Sequence, residues 1–536
     1  MMMKHRINPL FIVGVAAISF GMLSAAQRPN IVFILSDDQG WADLSTGATN
    51  LGHPSDFYET PTLERLAKEG MAFTSAYVQP NCAPTRAALL SGQYAPRAGN
   101  GVYNVGSLNR GGKNVPLIPP AQNEDVPAKT VTVAEAFRAA GYVTAHFGKY
   151  HVGGHEGGAS TLPEAAGFQF NFGGGKAGSP PGAYISRKTA GKWAFKKPLT
   201  PALDPFAKPY SKAYVRRHGI SEDMIGKPKH LTDALADAFE DFLAKHESGA
   251  EADKPIYVHF WTHAVHSPIR PRADLAEKFT EKKKTRPSKT GHDNAKYAAL
   301  ISDLDQTVGR ILKALDDPNG DGDTSDSIAA DTLLVFASDN GGTRRATSNR
   351  PLRQFKGTFY EGGIRVPLIV RWPGKIKPGS HSGTLVHAVD FYPTFLEIAG
   401  IKPPGGQILD GVSFAGVLRS PDARRNRKPV FYHFPGYLDN RADPSSTVVA
   451  DIGGQRYKLI YHYKAGGQGI CEMYNLSKDI GEKENLLDGD AGDETLSIRR
   501  DLLGKLRAWL TQDTPGWQPS YPKERKSGKP LHAPRL

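Results

Sequence analysis

Two acidic pairs follow apolar runs: Asp37-Asp38 comes after Asn30 to Ser36, and Asp339-Asn340 comes after Thr332 to Ser338. Three carboxylates and an amide brought to one place repel one another unless a cation intervenes. An all-oxygen donor set favours a hard ion, Ca²⁺ or Mg²⁺, over zinc. A single pair of this kind reads as a turn or cap; two pairs, both at strand ends, read as a metal site. Cys82 stands in Cys82-Ala83-Pro84-Thr85-Arg86 and is followed by Ala87-Ala88-Leu89-Leu90, a helix start with proline in its first turn. That puts residue 82 at a helix N-terminus, where backbone N–H groups favour an anion. Arg86 lies one turn further in and can reach back to the same anion. A thiolate there is the first generic nucleophile. Lys149 and His151 follow another apolar run, His263 and His266 a third, and Lys356 opens the block Lys356-Gly357-Thr358-Phe359-Tyr360-Glu361. Taken singly, each lysine reads as a solvated surface group and His263 as a structural histidine. His155, near a glycine-rich stretch, and Arg353 are weaker candidates for the lining of a cleft.

The elements that must position these residues follow from periodicity. Asn30 to Ser36 is a continuous apolar run, the pattern of a strand buried on both faces. Pro61 to Gly70 reads as a helix with Leu63, Leu66 and Ala67 inward and Gly70 as its stop. Met71 to Val78 is a strand. Thr132 caps a helix that Gly141 ends, and Val143 to Phe147 is the next strand. Pro255 to Thr262 and Thr332 to Ser338 are further strands, separated by a long amphipathic helix over Lys296 to Asp316. Alternation of strands and helices predicts an α/β fold with a large, mostly parallel sheet flanked by helices. In such sheets ligands gather beyond the C-terminal strand ends. The polar clusters fall at those ends, strand after strand, which predicts one composite site.

Beyond about residue 420 the pattern changes. A charged, linker-like run precedes Thr447–Asp451, Arg456–Tyr463 and Glu472–Leu476, which alternate like antiparallel strands, and Ile498–Leu510 closes as an amphipathic helix. The expected division is a signal peptide over 1–26, a catalytic domain over 27–420, and a smaller C-terminal α+β domain over 421–536, whose basic tail Pro522–Leu536 reads as a disordered end. Asp317-x-Asn319-x-Asp321-Gly322-Asp323 resembles the start of an EF-hand loop, but its twelfth position is Ile328, so a hydrophilic turn is the favoured reading.

The chain has 536 residues, 39% of them apolar, and a formal charge of +13 from 67 Lys and Arg against 54 Asp and Glu. Lys4 and Arg6 ahead of the apolar stretch Leu10 to Leu23, with Ser24-Ala25-Ala26 behind it, have the form of a cleaved secretory signal. A retained anchor is the alternative, weakened by Pro9, Gly14 and Gly21. Loss of 1–26 removes Lys4 and Arg6 and leaves +11. A basic surface draws anionic partners. Nucleic acid is a poor candidate, because no basic helix with interleaved aromatics occurs. The expected location is secreted or periplasmic, with no stable membrane insertion. The two cysteines, Cys82 and Cys471, would pair by default in an oxidising compartment.

Cys82-x-Pro84-x-Arg86, continued by Leu90-Ser91-Gly92, resembles the signature of the formylglycine-dependent sulfatases of the alkaline phosphatase-like superfamily, arylsulfatases and N-acetylgalactosamine-6-sulfatases among them. Other segments resemble that family in its own order: Pro29-Asn30 through Asp37-Asp38-Gln39-Gly40-Trp41, Gly148-Lys149-Tyr150-His151-Val152-Gly153, Val265-His266-Ser267-Pro268, Ser338-Asp339-Asn340-Gly341-Gly342, and Lys356 through Pro367. The departures are small: Thr85 stands where Ser is common, Ser91 where Thr is common, and Tyr150 where Trp is usual.

The resemblance implies an alkaline phosphatase-like fold and hydrolysis of sulfate monoesters, on a sulfated carbohydrate or another sulfate ester. It implies that a maturation enzyme oxidises Cys82 to formylglycine, whose hydrate attacks sulfur with one hydroxyl and expels sulfate with the other. It implies one Ca²⁺ held by Asp37, Asp38, modified Cys82, Asp339 and Asn340. Arg86 and Lys149 would orient the nucleophile, His151 would take the proton of the second hydroxyl, and Lys356 and His266 would hold sulfate, one of them protonating the leaving oxygen. Cys82 would then be no disulfide partner of Cys471. The alternatives are a phosphodiester or phosphonate monoester hydrolase of the same superfamily, and a silent binder of sulfated glycans with Cys82 unmodified.

Overall fold

The computed structural model describes residues 28–104, 114–423, 427–438 and 441–535. The segment read as a signal peptide, 1–26, lies outside the described residues. Among the described residues the principal sheet has nine strands: β1 (Asn30–Ser36), β2 (Met71–Tyr77), β3 (Val143–Gly148), β4 (Phe170–Phe172), β5 (Ile256–Trp261), β6 (Thr332–Ser338), β7 (Arg365–Arg371), β8 (Ser380–Ser382) and β9 (Val386–His387). Their order is β8-β2-β7-β6-β1-β5-β3-β4, with β9 also paired to β2. β7 runs antiparallel to both its neighbours; the remaining pairings are parallel.

The continuous apolar run of β1 has its cause in this placement. Ile31, Phe33 and Leu35 enter the core on one face of the sheet, and Val32 and Ile34 enter the core on the other. A strand buried on both sides cannot carry a polar face. Helices α1 (Pro61–Glu69), α4 (Leu231–Glu247) and α5 (Ala295–Asp316) cover one face. Helices α2 (Cys82–Ser91), α3 (Val133–Ala139) and α6 (Phe391–Ala399) cover the other. The expected cap of α3 forms: Thr132 accepts from Glu135 N–H at 3.2 Å, and the Glu135 carboxylate accepts from Thr132 N–H at 2.8 Å.

A second, antiparallel sheet contains β10 (Val430–Phe434), β11 (Ser445–Ile452), β12 (Gln455–His462) and β13 (Ile470–Asn475), in that order, with α7 (Asp493–Leu510) packed against it. Sequence periodicity located three of these strands and the helix; β10 stands directly after the charged run and escaped notice. The basic tail corrects its sequence reading. Lys523 and Glu524 pair with Ile118 and Leu117, Leu531 is buried, and Arg525 Nε donates to Val115 O at 2.7 Å, so residues 522–535 are tied into the fold. The Asp317 loop is a turn as expected: Asp317 accepts from Gly320 N–H at 2.9 Å and Gly322 N–H at 3.1 Å. Among the described residues, no helix is long and apolar enough to cross a membrane.

Candidate active site

Parallel register assembles the site. Ser36 lies opposite Ser338, so the residues that follow β1 and β6 emerge side by side. Asp339 N–H donates to Ser36 O at 3.0 Å, and Asp38 N–H donates to the Asp339 carboxylate at 3.1 Å. On the other side of β1, Leu35 lies opposite Trp261, which in turn lies opposite Gly148. Lys149, His263 and His266 therefore leave the sheet at the same edge as the aspartates. Gly148 sits at φ +92°, and a Cβ there would meet Trp261 O at 2.3 Å, so only glycine makes the turn that delivers Lys149. The Lys356 block is tied to both neighbours: Lys356 N–H donates to Gly342 O at 3.1 Å, and Gly357 N–H donates to Pro80 O at 2.7 Å.

All ten residues of α2 are buried, and Cys82 opens the helix. Its thiol is pushed up by burial, against the pull of Lys149 and Lys356. Lys356 Nζ lies 3.2 Å from Cys82 Sγ and also contacts Asp38. Each aspartate has its own cation. Lys149 Nζ is 2.7 Å from Asp37, Lys356 pairs with Asp38, and Arg86 grips Asp339 through two nitrogens at 2.8 and 3.1 Å. Arg86 also donates to Lys149 O at 2.6 Å, and its guanidinium lies over the Trp261 ring at 5.4 Å. All six charged side chains are buried.

These pairings do not satisfy every oxygen. Asp37 Oδ1 and Asn340 Oδ1 are buried and accept no hydrogen bond from the described residues. Burial, and next Asp339, push the Asp37 carboxyl up to about 8 in spite of Lys149. Asp38 keeps its charge: burial opposes it, but Lys356 and His266 hold its carboxyl well below the usual range. One ligand atom each from Asp37, Asp38, Cys82 and His266 lies within 4.8 Å of the others. Two orphaned oxygens beside crowded carboxylates fit a hard divalent cation. Asp339 is turned otherwise: its two oxygens accept from Asp38 N–H and from Arg86.

His151 has φ +66° and is buried. A Cβ on Gly178 would fall 2.4 Å from His151 Nε2, so the glycine-rich stretch forms the wall over this imidazole. Its Nδ1 has no partner among the described residues, and burial followed by Lys149 holds the ring well below its ordinary value, hence neutral. His266 is also neutral, lowered to about 3, chiefly by burial; its Nε2 lies 3.7 Å from Asp38. Burial lowers Lys356, but Asp38 and Cys82 outweigh it, so the ammonium is retained.

The weaker candidates separate. His155 pairs with Asp125 at 2.8 Å, and its ring centroid is 6.3 Å from that of His151, which puts it at the rim. Arg353 does not face the cluster. It lies over the Tyr360 ring at 4.1 Å and donates to Tyr474 Oη at 2.8 Å and Glu482 O at 3.0 Å, held by the second sheet. His263 is buried with both ring nitrogens unpartnered among the described residues, and burial and then Lys149 keep it neutral. Sequence reasoning missed Tyr184, whose hydroxyl lies 2.5 Å from His263 O and 2.8 Å from His266 O, shares its one proton between them and so fixes the His266 loop. Nothing local marks it. Cys82 and Cys471 are both free.

The family model described as Sulfatase matches residues 29–401, and the model described as N-sulphoglucosamine sulphohydrolase, C-terminal, matches 354–510. A protein of Formosa agariphila named Sulfatase is 44% identical over 91% of this chain and 90% of its own length. The N-acetylgalactosamine-6-sulfatase of Canis lupus familiaris is 30% identical over 78% of this chain and 71% of its own length. Among solved structures, Ps i-CgsB in complex with k-i-k-neocarrahexaose superposes with a TM-score of 0.65 at 24% identity, covering 92% of this chain and 95% of that one. The nine-stranded sheet is thus that of the alkaline phosphatase-like fold.

Proposed function

The chain belongs to the sulfatase family and is a sulfuric ester hydrolase; from that premise we propose that it removes sulfate from a sulfated carbohydrate, using a formylglycine made from Cys82 and a bound Ca²⁺. The observation that carries this reading is the buried cluster at Cys82, in which three aspartates each face a cation and two oxygens stay without a donor. Asp37, Asp38 and Asn340 would hold the ion with residue 82, and Asp339, whose oxygens already accept from Asp38 N–H and Arg86, would complete the set through a remaining lone pair. Bound there, Ca²⁺ supplies positive charge and Lewis-acid polarisation for the sulfate group.

The chain's own residues account for the rest. Arg86 fixes Asp339 and the Lys149 carbonyl, which holds the floor of the site rigid. Lys149, beside Asp37, stabilises the ionised nucleophile. His151, neutral and with a free ring nitrogen, accepts the proton of the second hydroxyl when sulfate leaves. Lys356 and His266 hold the sulfate oxygens, and Lys356, which carries a proton at rest, delivers it to the leaving oxygen.

The carbohydrate substrate is supported by the relative named N-acetylgalactosamine-6-sulfatase, by the neighbour solved with neocarrahexaose, and by a net charge of +13, or +11 without residues 1–26, that attracts polyanions. We further propose a catalytic domain over 27–420, a smaller domain over 421–536, a formylglycine-generating maturation enzyme as partner, and a secreted or periplasmic location after loss of 1–26. The test is a mass spectrum of the tryptic peptide carrying residue 82 from protein co-expressed with a maturation enzyme, paired with turnover of an aryl sulfate and the matching aryl phosphonate. An aldehyde or its hydrate, with the sulfate cleaved faster, is expected. An unmodified thiol in fully active protein, or a faster phosphonate, overturns the reading.

A further inference from the structure

Beside the peptide that carries Lys356, the second sheet and the segment after Gly357 border an open cavity of about 600 Å³, lined in part by Thr358, Tyr360, Tyr437, Arg441, His462 and Glu472. Its volume is in the range of ligand sites, about 300–1,000 Å³. It shares no lining residue with the sulfate cluster, yet it abuts it. Thr358 stands two residues beyond Lys356. A Cβ on Gly357 would come within 3.1 Å of the Arg441 Nε and Nη1 atoms, so that guanidinium rests on the backbone next to Lys356.

The cavity wall has a definite chemistry. Tyr360 and Tyr437 contribute aromatic rings with polar rims. Glu472 accepts from Tyr360 Oη at 2.8 Å and Tyr474 Oη at 2.5 Å, and meets His462 Nε2 at 3.1 Å. Lys464 pairs with Asp443 at 3.0 Å, and both also line the cavity. Cations and carboxylates are balanced, unlike a pocket built for a second sulfate. Flat apolar faces beside paired donors and acceptors suit a ring that is apolar on its C–H face and fringed with hydroxyls. A small aryl group could use the ring faces but would make no use of the polar rim.

We propose that this cavity is the subsite for the saccharide unit attached to the sulfated sugar, so that the protein acts on sulfated oligosaccharides in preference to free sulfated monosaccharides. The proposal rests on the carbohydrate reading above. Binding energy gained at a remote sugar is expressed in the reaction, so truncated substrates lose turnover as well as affinity.

The experiment compares kcat/KM of the mature enzyme on three substrates: 4-nitrocatechol sulfate, N-acetylgalactosamine 6-sulfate, and a tetrasaccharide with that sugar at its non-reducing end. The wild type is expected to prefer the tetrasaccharide over the monosaccharide at least tenfold. Arg441→Ala, His462→Ala and Lys464→Ala, all on the cavity wall, should each lower the tetrasaccharide value at least fivefold and leave the aryl sulfate value unchanged. That unchanged value also shows that each variant is folded. Equal wild-type values for the two saccharides, or equal losses on tetrasaccharide and aryl sulfate, overturn the subsite while the carbohydrate reading stands. Cleavage of the aryl sulfate but of no member of a panel of sulfated oligosaccharides, this tetrasaccharide among them, overturns both.

Discussion

Lys458 is the residue whose loss should reveal most about how the second sheet serves the site. It is fully buried, and its Nζ lies 2.6 Å from Glu361, 2.9 Å from Glu482 and 2.9 Å from Phe359 O. Phe359 and Glu361 belong to the segment that begins with Lys356. Glu361 has a second cation, Arg365 at 2.7 Å, and a donor in Tyr77 Oη at 2.8 Å; Glu482 accepts Glu361 N–H at 2.6 Å and has Lys458 as its one cation among the described residues. Lys458→Met keeps the bulk of the stem and deletes the charge. It leaves two buried carboxylates facing each other and one buried carbonyl without its donor. Removing one partner of a buried pair costs about 3–5 kcal/mol. For a cooperative unit of this size, 1 kcal/mol shifts Tm by about 1 °C, so a fall of about 3–5 °C is expected at pH 8.

The pH dependence has a fixed sign. Burial first, then Glu361, raise the Glu482 carboxyl from 4.5 to about 7 despite Lys458. A carboxyl raised on folding binds more protons in the native state, so it lowers stability as pH rises from about 4.5 to about 7. Without Lys458 the carboxyl rises further and the window extends upward. The Lys458→Met deficit should therefore be largest at pH 8 and smallest at pH 5, measured by thermal melts. The double variant Lys458→Met/Glu482→Gln removes one of the facing charges and should recover about half of the loss. Because the loosened segment carries Lys356, kcat/KM on an aryl sulfate should fall at least tenfold, about 1.4 kcal/mol. A variant that melts like the wild type at pH 8, or loses more at pH 5, refutes this account.

Arg86→Lys keeps the charge but cannot grip Asp339 through two nitrogens and reach Lys149 O together; kcat should drop about 10²-fold, and a change below threefold on an aryl sulfate would contradict the role of the fork. Chelation with EDTA should lower Tm, and Ca²⁺ at about 100 times its Kd should restore about 2.7 kcal/mol; Asp37→Asn should abolish that recovery in calorimetry. The Asp125 hydrogen bond raises His155 above its ordinary 6.5, so its contribution is present below that pH and is lost as pH climbs through the folded value. Amide protection factors over residues 155–161, corrected for the intrinsic rise of exchange with pH, should fall on that climb, and Asp125→Asn should make them low and insensitive to it.

Much of the site was legible because parallel strands place their ends together whatever the connections between them. An apolar run such as Asn30 to Ser36, closed abruptly by Asp37-Asp38, declares both a strand buried on two faces and the edge where its ligands gather. The proline after Cys82 declares a helix start, and α2 begins at that residue. Local signals also located Thr132 as a cap and the long helix ending at Asp316.

What stayed hidden depends on contacts between residues far apart in sequence. Arg353 has the composition of a cleft residue, but the Tyr360 ring and Tyr474 draw it to the second sheet. The basic tail has no periodicity, and its order comes from pairing with Leu117 and Ile118 some four hundred residues away. Tyr184 and Lys458 carry no motif; one fixes the His266 loop and the other the Lys356 segment, through bonds that only packing creates. The sequence by itself determined which residue types would meet at the sheet edge, because side-chain chemistry and strand periodicity are local. The tertiary structure alone decided which cation faces which aspartate, which oxygens are left without a donor, and what surrounds Lys356, because burial and pair distance exist only after the chain has closed on itself.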